Sequence, residues 1–152
     1  MKRAFWLVAA LCCFAATAQG QTPAPTQSLT KAVLKKDAQA AETLLMAGTN
    51  PNAVIEVVPG FATTYLITAV LNNSLDLAQL LLKHQAQVNQ PDAFKTTALM
   101  TAVSKGNRAM VELLLASGAD ARATDDDGKD ALALAKESGN AAIIALLEQK
   151  RK

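Results

Sequence analysis

Two short amphipathic runs between residues 97 and 123 predict two helices, joined by a tight turn at Gly106 and ended by Gly118. In each run the apolar residues share one face at the i, i+3, i+4 spacing of a helix: Leu99, Ala102 and Val103 in the first run, and Met110, Val111, Leu114 and Leu115 in the second. Neither helix is long enough to be stable alone in water. The pair is therefore expected to bury its apolar faces against neighbouring units.

The same pattern recurs along the chain with a period of 33 residues. Thr64, Thr97 and Asp130 occupy one position of the period, and Leu81 and Leu114 occupy another. A fixed period of this length, with one helix pair in each unit, is typical of a stacked repeat array. We place four units at residues 27–63, 64–96, 97–129 and 130–152, which together form one domain over residues 27–152.

The opening motifs of two units, TALMTA at residues 97–102 and DALALA at residues 130–135, resemble those of the ankyrin-repeat family. Gly106, Leu114 and Gly118 match the family's later positions in register. The resemblance implies an all-α repeat solenoid, an ankyrin-repeat stack of about four helix-turn-helix units with projecting hairpin loops. It also implies that partner proteins bind to the hairpin tips and to the concave face.

The period is interrupted once, because four residues are inserted between the first and the second unit. The insertion falls in the hairpin loop at residues 53–63, in which the turn signal is Pro59-Gly60. Four β-branched residues precede this turn: Val54, Ile55, Val57 and Val58. We predict an enlarged first finger that projects from the stack. The alternative is that these side chains fold back over the first helices as additional core.

Residues 1–18 have the features of a cleaved secretory signal peptide, with the basic residues Lys2 and Arg3, a short apolar run and small residues up to Ala18. The apolar run is too short to span a bilayer comfortably, although a retained anchor is the alternative. Residues 19–26 are polar and contain proline, which predicts a flexible leader. We therefore expect export, to the bacterial periplasm.

The composition limits the chemistry that the exported chain can perform. Both cysteines, Cys12 and Cys13, lie in the signal peptide, so no thiol site remains after cleavage. His84 is the only histidine, which excludes a catalytic triad and a histidine-rich metal site. The acidic run at residues 125–130 is similar to a calcium loop, but Lys129 occupies a ligand position. We predict that the protein is not an enzyme and has no catalytic residue, metal site or cofactor.

The charge of the exported chain restricts its partners. Without Lys2 and Arg3, the 15 basic residues of the chain become 13, equal to the 13 acidic residues. Nucleic acids and anionic membranes bind basic surfaces. We therefore predict no nucleic-acid partner and no membrane insertion after cleavage, and we expect a monomer that binds another protein.

The candidate binding surface combines the enlarged finger, the exposed ends of the first helices of each unit and the hairpin tips. Its aromatic members are Phe61, Tyr65 and Phe94, and aromatic residues commonly anchor protein interfaces. Its other members are Ile55, Val57, Val58, Leu71, Asn72, Ser104, Lys105, Asp126, Asp127 and Lys129. The predicted surface is apolar near the first finger and acidic near residues 125–127.

In its signal peptide and its repeats, the chain resembles the small exported ankyrin-repeat proteins of bacteria. That resemblance implies a non-catalytic protein-interaction module of the cell envelope, acting as an accessory to an envelope catalase in oxidative-stress defence. One alternative is an immunity protein that inhibits a toxic enzyme in the periplasm. Another is an accessory protein that handles heme or a metal.

Overall fold

The computed structural model describes residues 24–150. Within this range the chain forms eight helices and one two-stranded hairpin, in the order α1 (Pro25–Leu34), α2 (Ala38–Met46), β1 (Val54–Val58), β2 (Phe61–Thr64), α3 (Tyr65–Leu71), α4 (Leu75–Lys83), α5 (Ala98–Ser104), α6 (Arg108–Ala116), α7 (Ala131–Ser138) and α8 (Ala141–Lys150). The predicted signal peptide lies outside the described residues. The last two residues of the predicted leader, Pro25 and Thr26, belong to α1.

The helices form four pairs that stack side by side in two layers. The first helix of each pair packs against the first helix of the next pair, which gives the row α1, α3, α5 and α7. The second helices form a parallel row of α2, α4, α6 and α8. This arrangement confirms the predicted all-α repeat solenoid.

The core of the stack is built from residues that recur at the same position in successive repeats. Leu81, Leu114 and Leu147 are fully buried on the second helices of their pairs. Leu66 and Leu99 are buried at equivalent positions of the first helices. Because each helix has only seven to ten residues, burial between repeats stabilises it more than its own backbone hydrogen bonds do.

The first repeat closes one end of the stack with smaller and more polar residues. Lys31 is exposed, whereas its counterpart in the second repeat, Thr68, is buried. Ala40 is half-buried, whereas its counterpart Leu77 is fully buried. A terminal repeat has a neighbour on one side only, so its outer face is hydrated and tolerates polar residues.

Side-chain caps begin the first helix of each later pair. The side-chain oxygens of Thr64, Thr97 and Asp130 accept hydrogen bonds from the backbone N–H three residues later, at 3.2, 3.3 and 2.8 Å respectively. Such caps satisfy N–H groups that have no partner within the helix. They also fix the direction in which the preceding hairpin loop enters each helix.

The turn between the two helices of a pair requires a left-handed residue. Asn73 has a φ of 56° and Gly106 a φ of 68°, as expected from their shared position in the repeat. Lys36 occupies this position in the first repeat with a φ of 59°. A residue with a β-carbon adopts this conformation at a cost of about 1 kcal/mol, which is lower for asparagine and absent for glycine.

The insertion after the first repeat forms a β-hairpin rather than a loop. Strand β1 pairs antiparallel with β2, with Val54 opposite Thr64 and Ile55 opposite Thr63. The turn between the strands contains Gly60, whose φ of 84° is left-handed. The enlarged finger that the sequence predicts is therefore present, and its β-branched residues form strands because they favour extended backbone.

We expect Leu114→Ala to lower the free energy of unfolding by about 2–5 kcal/mol, because it opens a cavity at a fully buried position. Met46→Ala is the control, since this side chain is 75% exposed and its removal should cost less than about 0.5 kcal/mol. Urea denaturation followed by circular dichroism measures both variants. Equal effects would contradict the assignment of Leu114 to the core.

Candidate protein-binding surface

Three fingers project from the helix layers and lie side by side: the first finger (residues 53–64), the second finger (residues 91–97) and the third finger (residues 124–130). The backbone N–H of Ala93 donates to the carbonyl oxygen of Ala62 at 3.0 Å, which joins the second finger to the first. The N–H of Asp126 donates to the carbonyl oxygen of Phe94 at 3.2 Å, which joins the third finger to the second. The fingers therefore form one hydrogen-bonded row.

An aspartate shapes each of the two shorter fingers. In the second finger, Asp92 Oδ1 accepts hydrogen bonds from the N–H groups of Phe94 and Thr96, both at 2.9 Å. Lys95 lies between them in a left-handed conformation with a φ of 56°. Asp125 makes the corresponding turn in the third finger. These turns hold the fingertip side chains in fixed positions.

Two phenylalanines pack against each other at adjacent fingertips. The rings of Phe61 and Phe94 have their centroids 5.6 Å apart and are tilted by 37°. Each side chain nevertheless remains about half exposed, at 50% and 51%. The next position in this register is Asp127, so the aromatic character ends at the second finger.

The two rings form one wall of an apolar groove between the row of fingers and the ends of α1 and α3. Six of the eight large hydrophobic residues that are exposed within residues 24–150 line it. We define the apolar groove by these six: Leu34, Val57, Val58, Phe61, Leu71 and Phe94. Their grouping on one face distinguishes this surface from the scattered exposed hydrophobics of ordinary protein surfaces.

Leu34 belongs to this groove although it is missing from the surface predicted from the sequence. It ends α1 as Leu71 ends α3, and both are nearly half exposed. The corresponding residues of the later repeats are Ser104 and Glu137. Alignment of the first repeat across the four-residue insertion would have identified Leu34, because it places Leu34 and Leu71 in the same register.

Two predicted surface residues, Ile55 and Tyr65, are in fact buried. Ile55 is only 5% exposed and joins the core, although the other β-branched residues of β1 are exposed. The prediction of a projecting finger and the alternative of additional core are therefore each correct in part, because one strand residue packs inward while its neighbours face solvent. Tyr65 is 0% exposed at a position that is also buried in the later repeats, where it is alanine.

Tyr65 ties the second repeat to the first through its hydroxyl group. The phenol donates a hydrogen bond to the carbonyl oxygen of Thr26 at 2.8 Å and lies 3.3 Å from the Thr30 hydroxyl. Burial raises the pKa of the Tyr65 phenol above its ordinary value of 10.0, and the hydrogen bond with Thr30 offsets part of this rise. The phenol is therefore neutral at physiological pH and stabilises the contact between α1 and α3.

The remaining predicted residues lie beside the apolar groove or beyond it. Asn72 is half-buried and donates from Nδ2 to the carbonyl oxygen of Val33 at 3.2 Å, so it also joins the first two repeats. Ser104 and Lys105 are exposed at the end of α5. Asp127 is exposed at the tip of the third finger. These last three residues extend the surface into a polar region.

Two ion pairs lie in this polar region. Lys95 Nζ is 3.0 Å from Asp126 Oδ1, which links the second and third fingers. Lys129 Nζ contacts the carboxylate of Glu137 at 2.8 and 3.0 Å, and this contact raises the pKa of Lys129. Both pairs are largely exposed, so they contribute little to stability. The surface is thus apolar at the first two repeats and charged at the last two.

The described residues contain no group of three or more histidine, cysteine, aspartate or glutamate side chains that could hold a metal ion. His84, the single histidine of the chain, is half-buried and follows α4 as its C-cap residue. Between residues 24 and 150, no helix is both long and apolar enough to cross a membrane.

Comparison with known proteins agrees with this architecture. The sequence profile of the family described as "Ankyrin repeats (3 copies)" matches residues 29–125. This range includes most of α1, the helices α2 to α6 and all the residues of the apolar groove. No curated protein matches the chain.

The contrast between Tyr65 and Phe94 provides a test of the surface. Tyr65→Ala should destabilise the protein by about 3–5 kcal/mol, because it removes a fully buried aromatic ring. Phe94→Ala should cost no more than about 1 kcal/mol, since the side chain is half exposed and loses one ring contact. Chemical denaturation of both variants measures the difference. A larger loss for Phe94→Ala would place Phe94 in the core and contradict the groove.

A second prediction concerns alkaline pH. The folded pKa of Tyr65 is raised, so its contribution to stability is present below pH 10.0 and is lost as the pH rises through the folded pKa. Tyr65→Phe should remove this part of the pH dependence, so the stability difference between wild type and variant should shrink above pH 10.0. Urea denaturation of both proteins from pH 8 to about pH 11.5 tests it. A constant difference across that range would mean that Tyr65 ionises as freely in the folded protein as in the unfolded one.

Proposed function

This chain belongs to the ankyrin-repeat family, and we propose that it is a non-catalytic module that binds another protein in the apolar groove. The observation that carries the proposal is the grouping of six exposed hydrophobic side chains on one face. Exposed apolar area is unfavourable in water, at roughly 25 cal/mol for each Å². A partner that covers these residues removes that cost.

The groove has the features of a binding surface that is rigid before the partner arrives. Phe61 and Phe94 stand on fingers that are joined by a backbone hydrogen bond, and Asp92 fixes the turn beneath Phe94. Leu34 and Leu71 lie at the ends of helices packed in the stack. A preorganised surface loses little conformational entropy on binding, so more of the contact energy appears as affinity.

A protein fits this groove better than a small ligand does. The groove has a volume of about 280 Å³ and is continuous with the surface of the fingers, whereas small-molecule pockets enclose most of the surface of their ligand. The aspartate that borders it, Asp92, already accepts two hydrogen bonds from its own finger. The two phenylalanines are well suited to serve as the anchors on which binding energy concentrates in protein interfaces.

The proposals for the compartment and the client rest on the sequence rather than on the described residues. The features of residues 1–18 support secretion with cleavage after Ala18, and we propose that the protein acts in the periplasm. The resemblance to small exported ankyrin-repeat proteins supports a role as an accessory to an envelope catalase. The alternatives, immunity against a toxic enzyme and the handling of heme or metal, differ from it in the client that they predict.

Affinity purification from an envelope fraction, followed by mass spectrometry, tests the proposal. We expect the wild-type protein to retain one dominant client, and we expect Phe61→Ser combined with Phe94→Ser to weaken that capture by at least about thirtyfold, since a single interface anchor contributes about 2 kcal/mol or more. Met46→Ser is the matched control, because it exchanges an exposed hydrophobic residue outside the groove. Undiminished capture by the double variant would refute the apolar groove as the binding site.

The same preparation tests the compartment. The intact mass of the recovered protein should correspond to residues 19–152. As a separate control for folding, the melting temperature of each variant should stay close to that of wild type. Recovery of the uncleaved chain from the cytosol would contradict export. Bound heme or metal, or a client with toxic activity, would favour the corresponding alternative.

A further inference from the structure

The first finger has one strand edge that is paired and one that is not. Strand β2 pairs with β1, and its residue Ala62 also accepts a hydrogen bond from the second finger. Within residues 24–150, β1 pairs with β2 alone, in a sheet of two strands. The outer edge of β1 therefore presents a row of N–H and C=O groups at the end of the row of fingers, on the side of α1.

A groove runs along this edge. It has a volume of about 310 Å³ and is lined by Thr26, Gln27 and Thr30 of α1 and by Val54, Ile55 and Glu56 of β1. Successive side chains of a strand point to opposite faces of the sheet. A groove that touches three successive residues of β1 therefore follows the edge of the strand rather than one of its faces.

The edge carries few of the devices that usually protect a free strand from pairing. Proteins commonly block such edges with lysine, with proline inside the strand, with a β-bulge or with a covering helix. The register of β1 is irregular between Glu56 and Val58, so the regular part of the edge is the part that lines the groove. In β1, the side chains of Val54, Val57 and Val58 are exposed, Glu56 carries the one charge, and Pro59 lies after the strand has ended. A two-stranded hairpin is marginally stable, and a third strand stabilises it further.

We infer that β1 is a docking strand, and that the partner of the proposed function adds an extended segment to its free edge. An extended chain is the occupant that matches a row of backbone donors and acceptors, because a helix uses these groups internally. The added strand would continue the row of fingers by one place towards α1. The inference rests on the proposed function and specifies how the partner is bound.

The side chains of β1 indicate the chemistry of the partner segment. The exposed valines favour β-branched or aromatic residues at alternate positions of the added strand. Glu56 is exposed, and none of the ion pairs found between residues 24 and 150 involves it, which favours a lysine or arginine opposite. Val57 and Val58 end β1 and also line the apolar groove, so a segment that leaves the edge leads into that groove.

Selection of random 12-residue peptides, displayed on phage, against the purified protein tests this inference. We expect enrichment of peptides with alternating β-branched or aromatic residues and one basic residue. The variant Glu56→Lys should instead select peptides with an acidic residue at that place. Glu148→Lys is the matched control, since it reverses an exposed charge on α8, outside the candidate binding surface, and should leave the basic preference unchanged.

The enriched peptide, made synthetically, then distinguishes strand addition from side-chain binding. Methylation of alternate backbone nitrogens removes the hydrogen bonds of one edge but keeps the side chains, and should weaken binding by at least about tenfold because several hydrogen bonds are lost. Isothermal titration calorimetry measures both peptides. Equal affinity of the methylated peptide would overturn the inference.

Other outcomes assign the edge to a different occupant or to none. Enriched peptides with helical periodicity whose binding depends on Phe61 and Phe94 would overturn strand addition but leave the proposed function standing. A dimer in sedimentation velocity that Glu56→Lys dissociates would assign the edge to a second copy, and tighter peptide binding after deletion of residues 19–23 would assign it to the leader. Failure to enrich any peptide would also overturn the inference, whereas the proposed function is refuted separately by undiminished client capture.

Discussion

The burial of short helices against their neighbours is the constraint on which the rest of this structure depends. A helix of seven to ten residues is not stable alone in water, so each pair exists because the next pair covers its apolar face. Leu81, Leu114 and Leu147 mark these contacts, and all three are fully buried. The stack is consequently rigid along its length, and its loops are held in fixed relation to one another.

The fingers inherit this rigidity from the helices that they precede. Thr64, Thr97 and Asp130 cap the helices and at the same time end the fingers, so the position of each fingertip follows from the register of the stack. The backbone hydrogen bonds between neighbouring fingers add a second set of restraints. In such a row, residues at equivalent positions of neighbouring fingers form a continuous surface, and their polar or apolar character decides what that surface can bind.

Two sets of equivalent residues make this surface apolar at the first two repeats and polar at the later ones. The fingertips change from Phe61 and Phe94 to Asp127, and the ends of the first helices change from leucine in the first two repeats to Ser104 in the third. The apolar half therefore lies where the enlarged finger adds further hydrophobic residues. The free edge of β1 borders the same half, so the apolar groove and the unpaired strand lie next to each other on the first finger.

The sequence by itself determined the repeat, the helix pairs and the place of the enlarged finger, because these features depend on residues close together in the chain and on their recurrence with the period. Tertiary structure alone decided which residues of the finger are exposed. Ile55 and Val57 are both β-branched and lie in one strand, yet only Ile55 is buried, because burial depends on which side chains of the strand point into the core of the stack. Tyr65 is buried for a similar reason, since its ring fills the space beside α1 and its hydroxyl group reaches Thr26.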